Sequence, residues 1–371
     1  MANTKQTLGE ERRQRLAAAM REAGLDHVLL YGNAWQGDYL RYGADFGILE
    51  GHGLALVDAD GAVELFLDSA ADAERAELET PGVRVHFASD IARAAGARLD
   101  RVANTRLAAA PRRFMPQWLA DPARGFRLDD ATALVDTLLM HKSAGEIDAM
   151  RRAVQIADEA YVEFLKAVRP GRRQYEIVAD LEAHLRQRGC PDNFMIIGSG
   201  GKDVLGMAPP SERRIAVGDF VTTELTPAVE GYFAQICRTL VVGKANDAQR
   251  RAFAVYAEAL EAGIAAVRPG VRAADVAKAE NDVFRKHGLG EYTTSQWTRV
   301  RGHGMGMFAD SKPHILEDVN TVLEPGMTLI VHPNTYHPEA GYIVLGDAVL
   351  VTQSGVEVLC KTPRELFEVA A

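Results

Sequence analysis

Three ionisable side chains lie in strand-like or glycine-flanked sequence where apolar or small residues are expected. Glu224 lies inside the run GDFVTTELTPAV, His332 ends the run TLIVH, and His303 lies between two glycines in RGHGMGMF. Polar groups in otherwise strand-like sequence need a reason. One carboxylate and two imidazoles in one cleft would suffice for general acid/base chemistry near neutral pH.

An internal repeat relates the positions of Glu224 and His332. Residues 168–189 (VRPGRRQYEIVADLEAHLRQRG) align without gaps on residues 267–288 (VRPGVRAADVAKAENDVFRKHG), and each copy predicts a Pro-Gly turn, an amphipathic helix and a terminating glycine. In each half a later glycine, Gly218 or Gly326, opens a strand with the ionisable residue six positions on. Because two such units pack about a pseudo-twofold axis, we expect Glu224 and His332 to face each other across a shared cleft.

The elements that position these side chains follow a change in the sequence near residue 137. A long helix is predicted to begin after Ser143, a cap residue with Glu146 three positions on. Before it, strands alternate with helices, including a helix from about Glu10 to Ala23 and a hairpin whose turn is at 58–61. We expect an α/β N-terminal domain at residues 1–136 and a catalytic domain at residues 137–371.

Composition limits the class of partner. The chain has 371 residues, of which 47% are hydrophobic and 25% charged, and its net charge of -9 without a compensating basic run argues against nucleic-acid and anionic-membrane partners. Residues 1–15 lack the apolar core of a signal peptide, and no apolar run reaches membrane-spanning length. Three scattered cysteines are too few for a disulfide framework or a thiolate metal site. A small-molecule substrate and a cytoplasmic location are expected.

Five motifs, in order and spacing, resemble the creatinase/aminopeptidase P/methionine aminopeptidase superfamily, whose fold is called pita-bread. They are KSAGEIDAMRRA, MAPPSERRIAVGDFVT, GHGMG, VLEPGMTLIVHP and GDAVLVTQSGVEVL, and they span about Lys142 to Leu359. The resemblance implies an α/β (α+β) chain with a C-terminal pita-bread domain and a smaller creatinase-type N-terminal domain. It also implies a homodimer whose active sites lie near the subunit interface.

The sequence departs from the metallopeptidases of that superfamily at the metal ligands. Those enzymes bind two metal ions through two Asp, one His and two Glu. The matching positions here are Glu224, Gln235, His303, His332 and Gly346. The two carboxylates that bridge the metal ions are thus replaced by an amide and by a residue without a side chain. Without them nothing neutralises the repulsion between two divalent metal ions, so a site for two ions is not expected. Creatinase-like relatives work without metal, and the first hypothesis is therefore a metal-independent hydrolase, without cofactor, that cleaves a C–N bond of a small polar nitrogen compound.

In this hypothesis His303 or His332 is the base and Glu224 orients it. Gln235 hydrogen-bonds the substrate. Cys237 is either a buried strand residue, which is favoured, or a nucleophile activated by a histidine. The other expected substrate contacts are Met207, Trp297, Arg301 and Tyr342.

Two further hypotheses use the same cleft. In one, Glu224, His303 and His332 bind a single Fe or Zn ion for hydrolase or lyase chemistry. In the other, the fold is catalytically inactive and binds a peptide or protein. Because Glu224 and His332 are ionisable, an active site is favoured over a catalytically inactive binding domain.

Overall fold

The computed structural model describes residues 7–102, 105–121, 123, 127–191 and 193–371. The chain forms two compact units, Met1–Leu139 and Met140–Ala371. Within the described ranges, no helix is both long enough and apolar enough to cross a membrane.

The first unit contains a six-stranded mixed sheet. Its strands are β1 (His27–Asn33), β2 (His52–Asp58), β3 (Val63–Leu67), β4 (Val83–Phe87), β5 (Leu107–Ala110) and β6 (Leu128–Asp130), in the spatial order β4-β3-β2-β1-β5-β6. The helices are α1 (Leu8–Glu22), α2 (Asp38–Ala44), α3 (Ala70–Glu79), α4 (Ile91–Leu99), α5 (Gln117–Ala120) and α6 (Thr132–Met140), with 3-10 turns at Asp100–Val102 and Arg112–Phe114. The predicted first helix is α1, and the predicted hairpin joins β2 to β3 in antiparallel pairing.

Four long helices belong to the second unit: α7 (Ala144–Ala167), α8 (Gln174–Gln187), α9 (Asp247–Ala266) and α10 (Ala273–Lys286). The helix predicted after Ser143 is α7. It begins with a capping box, in which the Ser143 hydroxyl accepts from the Glu146 main chain and the Glu146 carboxylate accepts from the Ser143 main chain at 2.8 Å.

The two copies of the sequence repeat fold alike. Both α8 and α10 contain 14 residues. The glycine that ends each copy, Gly189 or Gly288, has a positive φ of 79° or 74°, a backbone conformation that glycine adopts without steric penalty. The repeat is therefore structural as well as sequential.

Two five-stranded sheets and a small hairpin complete this unit. The first sheet contains β7 (Asn193–Gly200), β8 (Phe220–Val229), β10 (Ile236–Val242) and β18 (Phe367–Val369), in the order β18-β10-β8-β7, with β9 (Tyr232–Phe233) paired to β8. The second contains β11 (Gly302–Gly304), β12 (Ser311–His314), β13 (Thr328–Val331), β16 (Asp347–Val351) and β17 (Val356–Val358), in the order β12-β11-β13-β16-β17. The hairpin pairs β14 (Thr335–His337) with β15 (Gly341–Ile343), and a 3-10 turn spans Gly290–Thr293.

The two five-stranded sheets are joined between Cys237 on β10 and Gly346, just before β16. The main chains of these two residues exchange hydrogen bonds of 3.1 and 2.9 Å. Behind them the buried guanidinium of Arg238 pairs with Asp347 at 2.7 Å and donates to the Gly346 carbonyl, also at 2.7 Å. Apolar side chains of α7 and α8 cover the first sheet, and those of α9 and α10 cover the second. The junction of the two halves is thus a rigid, buried base for the side chains described next.

Candidate functional site

Glu224 lies in the middle of β8, directly opposite Cys237 on β10. Its Oε1 accepts a hydrogen bond of 2.8 Å from the side-chain amide of Asn334. Desolvation raises the pKa of this carboxyl to about 7, and the negative charge of Asp310 adds to the increase, although the hydrogen bonds from Cys237 and Asn334 oppose it. Glu224 can therefore exchange a proton near neutral pH.

His303 on β11 and His332 after β13 form a pair of buried imidazoles. Their ring centroids are 5.4 Å apart, and the rings are nearly perpendicular. The Nδ1 of His303 lies 2.9 Å from the Gly304 carbonyl, so Nδ1 carries the hydrogen and Nε2 keeps its lone pair. Burial lowers the pKa of both rings, to about 3 for His332, so both are neutral at pH 7.

His332 also has a buried nitrogen without a partner. Among the described residues, none hydrogen-bonds its Nδ1. A buried polar atom that lacks a partner carries a desolvation penalty and therefore needs an explanation. Two neutral imidazoles with free nitrogens are the histidine form that binds a divalent metal ion.

Asp310 and His314 lie close to His303 but were not among the predicted site residues. Asp310 Oδ1 lies 3.7 Å from His303 Nδ1 and 3.0 Å from His314 Nε2. The hydrogen bond to Asp310 raises the pKa of His314. Desolvation would raise the pKa of Asp310, but the nearby imidazoles outweigh it and leave that pKa lowered. The carboxylate is placed beside His303 by the turn between β11 and β12, whose two strands pair His303 with His314.

Gln235 and Cys237 face each other rather than open space. The Gln235 amide donates to the Cys237 sulfur at 3.4 Å, and both side chains are buried. Burial and the neighbouring Glu224 raise the pKa of the Cys237 thiol well above its usual value. A protonated, buried thiol is a poor nucleophile, which favours the predicted role of Cys237 as a buried strand residue.

Arg301 is not placed to contact a substrate, and its predicted role is therefore corrected. The side chain has no exposed surface. Its Nε donates to the Asn281 side chain at 2.6 Å, Nη1 to the Asn334 carbonyl at 2.9 Å and Nη2 to the Thr298 carbonyl at 2.7 Å. These internal acceptors, two of which lie 20 and 33 positions away in sequence, occupy the guanidinium.

The predicted apolar wall is partly formed. Tyr342 is buried and its hydroxyl lies 2.8 Å from the Thr298 hydroxyl. Desolvation raises the pKa of Tyr342, and the negative charge of Glu224 adds to the increase. Trp297 is half-buried and stacks on Tyr336 with ring centroids 4.8 Å apart. Met207 is half-buried in the segment between β7 and β8. Substrate contact by these three side chains stays a prediction.

In the structure Glu224 is not hydrogen-bonded to either histidine that it was predicted to orient. Its recorded side-chain partners are Asn334 and Cys237, and no hydrogen bond joins it to His303 or His332. In the part of the chain that the structure describes, no group of three His, Cys, Asp or Glu residues is close enough to bind a metal ion as placed.

Comparisons with known proteins identify relatives of this fold. The family model described as metallopeptidase family M24 matches residues 148–353. An Xaa-Pro dipeptidase of Pyrococcus furiosus is 31% identical over 243 residues, which cover 65% of this chain and 68% of that protein. Among solved structures, an Xaa-Pro dipeptidase from Bacillus anthracis superposes with a TM-score of 0.82 at 27% identity, over 97% of this chain and 100% of that one. Dipeptidase PepE from Mycobacterium ulcerans superposes with a TM-score of 0.81 at 27% identity, over 98% of each chain.

These findings confirm some predictions and overturn others. The mixed α/β class with a pita-bread C-terminal domain is confirmed, and so is an enzyme of the hydrolase class that acts on C–N bonds. The metal-independent, creatinase-like hydrolase is wrong, as is the expectation of no metal and no cofactor, because the matching family is one of metallopeptidases and its relatives here are Xaa-Pro dipeptidases. Replacement of ligand residues was therefore an insufficient reason to exclude metal.

Proposed function

The chain belongs to the metallopeptidase family M24, and on that premise we propose that it hydrolyses a C–N bond of a small peptide or peptide-like substrate with one divalent metal ion, held by His303 and His332. The observation that carries the proposal is the pair of buried, neutral imidazoles 5.4 Å apart. Two imidazoles that bind one ion at about 2.0–2.1 Å per Zn–N bond have ring centroids roughly 5 Å apart.

The hydrogen bonding of the two rings supports the same site. Metal-binding histidines usually donate their second ring nitrogen to a carbonyl or carboxylate. His303 does so toward the Gly304 carbonyl, and Asp310 lies 3.7 Å from the same nitrogen. The unpartnered Nδ1 of His332 is a second nitrogen for which a cation would supply a partner.

One ion fits these residues better than two. The position equivalent to one bridging carboxylate is Gln235, whose amide donates to Cys237. The position equivalent to the other is Gly346, where an added Cβ would lie only 2.6 Å from the His332 Cβ and 2.8 Å from the Val331 carbonyl oxygen. Glu224 is hydrogen-bonded by Asn334 and Cys237, so we propose His303 and His332, rather than the set that includes Glu224, as the protein ligands.

A bound divalent ion would polarise the scissile carbonyl and lower the pKa of water. The chain's own groups then have separate roles. Glu224, whose pKa is about 7, accepts or returns a proton, and the Gln235 amide hydrogen-bonds Cys237, the cross-strand neighbour of Glu224. The buried Tyr342 hydroxyl lies within electrostatic range of the same carboxylate. The Gly304 carbonyl fixes the imidazole of His303 from the second ring nitrogen, and Asp310, 3.7 Å from that nitrogen, hydrogen-bonds His314.

The relatives make Xaa-Pro dipeptides the first substrates to test. Protein purified without chelator should contain about one equivalent of Mn, Fe, Co or Zn per chain by inductively coupled plasma mass spectrometry. Chelation should abolish hydrolysis, and readdition should restore it. His303→Ala and His332→Ala should each lose the ion, whereas His337→Ala, which removes an equally buried imidazole from β14, should keep it.

Two outcomes would contradict the proposal. Two equivalents of metal bound in the wild-type protein would refute the single-ion site. Absence of bound metal, together with no turnover of any dipeptide in a panel, would favour the binding-domain hypothesis. The homodimer and the cytoplasmic location stay predictions of the resemblance, and sedimentation equilibrium tests the first.

A further inference from the structure

The carboxylate of Glu224 accepts a hydrogen bond from Asn334, whose own position is fixed in turn. Asn334 uses both ends of its side-chain amide: Nδ2 donates to Glu224 Oε1 at 2.8 Å, and Oδ1 accepts from the Leu345 main chain at 3.0 Å. The Asn334 side chain is therefore unable to rotate without losing one of two hydrogen bonds. Asn334 thereby fixes Oε1 of Glu224, and Cys237 on the neighbouring strand adds a second hydrogen bond to the carboxyl group.

The main chain of Asn334 is bound by Arg301. The Arg301 guanidinium donates from Nη1 to the Asn334 carbonyl and from Nη2 to the Thr298 carbonyl. The Thr298 hydroxyl in turn lies 2.8 Å from the hydroxyl of Tyr342. A single planar group thus connects the segment that binds Glu224 with the segment that binds Tyr342.

Burial of the charged Arg301 side chain lowers the stability of the fold. Arg301 has no exposed surface, and within the described ranges no carboxylate lies within ion-pair distance of it. Glu280, whose charge acts on Arg301, is fully buried, and desolvation raises the pKa of Glu280 well above its usual value, although the positive charge of Arg301 opposes the increase. Three carbonyls and one amide oxygen are the acceptors that remain. Burying an arginine without a paired anion costs free energy, and the rigid five-donor fork is what a shorter or neutral side chain would not provide.

We propose that Arg301 and Asn334 are positioning residues that fix the orientation of the Glu224 carboxylate and the Tyr342 hydroxyl for hydrolysis. The kinetic part of this inference rests on the proposed function, whereas the geometric part does not. A misplacement of about 1 Å in a reacting group lowers rates by up to about 100-fold. Loss of either positioning residue should therefore lower kcat far more than it changes KM.

The test uses the full-length protein with Asn334→Ala, Arg301→Lys and the double variant. We expect kcat for the best Xaa-Pro dipeptide to fall about 10- to 100-fold for each single variant, with KM changed less than about threefold. The double variant should be no slower than the slower single variant, because both residues act through the same carboxylate. The matched control is Thr335→Val, which removes a buried hydrogen bond to the Tyr292 carbonyl at the next position on the chain without touching Glu224. Its kcat should stay within about twofold of wild type.

A crystal structure of metal-free Asn334→Ala provides the second measurement. The Glu224 carboxylate should occupy more than one orientation, whereas it should keep the wild-type orientation in Thr335→Val. This measurement decides the geometric claim even when no dipeptide is turned over, so the failure of the positioning claim is distinguishable from failure of the proposed function. If Arg301→Lys does not fold, Asn334→Ala and Asn334→Ser carry the test. An unchanged Glu224 orientation, or equal decreases of kcat in Asn334→Ala and Thr335→Val, would overturn the inference.

Discussion

Glu224→Gln should change how the stability of the second unit depends on pH. The pKa of this carboxyl is raised from 4.5 to about 7, so the fold favours the protonated form. Its contribution to stability is present below the unfolded pKa and is lost as the pH rises through 7. The shift is equivalent to about 3 kcal/mol, which we reduce to about 2 kcal/mol because the side chain is only half-buried and contacts solvent. Glutamine is uncharged throughout, so this loss should be absent in the variant.

The assay is urea denaturation of metal-free protein between pH 4.5 and 8. Of the three tryptophans in the chain, Trp297 alone lies beyond residue 139, so a Trp35→Phe/Trp118→Phe background reports the unfolding of the second unit by fluorescence. The free energy of unfolding of Glu224→Gln, minus that of the parent, should increase by about 2 kcal/mol from pH 5 to pH 8. Because the variant and its parent are compared at the same pH, the effects of all other titrating groups on the free energy of unfolding cancel.

A difference that stays constant within about 0.5 kcal/mol across this range would refute the reasoning. It would mean that the carboxylate is solvated or paired in solution and that its pKa is ordinary. The result would also remove the basis for proton exchange by Glu224 near neutral pH.

Three further predictions concern the base of the cleft. Asp347→Ala leaves the buried Arg238 without its anion and should lower the free energy of unfolding by about 3–5 kcal/mol, whereas Asp318→Ala, which breaks an exposed pair with Arg299, should change it by less than about 1 kcal/mol in urea melts. Gly346→Ala should displace His332 and lower both the melting temperature and the bound metal. Gly355→Ala, where an added Cβ meets no atom within 4 Å, should do neither. Tyr342→Phe and Thr298→Val should each cost about 1 kcal/mol, and the double variant should cost no more than one of them, since they break the same hydrogen bond.

Local signals in the sequence were sufficient for much of the fold. The capping box at Ser143, the turn between β2 and β3 and the terminating Gly189 and Gly288 depend on contacts between residues a few positions apart. Such contacts are visible in a single sequence because residue type and spacing determine them.

The site was less predictable because its partners are distant in sequence. Arg301 resembles a charged loop residue, but its acceptors include the carbonyl of Asn334, 33 positions on. Asn334 itself gives no local signal that it binds Glu224, which lies 110 positions earlier. Asp310 approaches His303 only after the chain reverses between β11 and β12.

The error about metal has a related physical cause. The expected replacement of two carboxylate ligands, which was read from the resemblance, was taken to exclude metal, but the number of ions a cleft binds depends on which nitrogens remain free after folding. The tautomer of His303 and the unpartnered Nδ1 of His332 are properties of the folded chain.

The contact between Gly346 and His332 also limits the routes by which this protein could change. A carboxylate side chain at position 346 needs the space beside the His332 Cβ, so its effect depends on which residue occupies position 332. We expect strong epistasis: Gly346→Glu alone should be deleterious, whatever benefit it would bring in another background. A single mutation at position 346 is therefore not expected to restore a carboxylate ligand. In laboratory evolution of this chain, we expect the selected variants to keep Gly346.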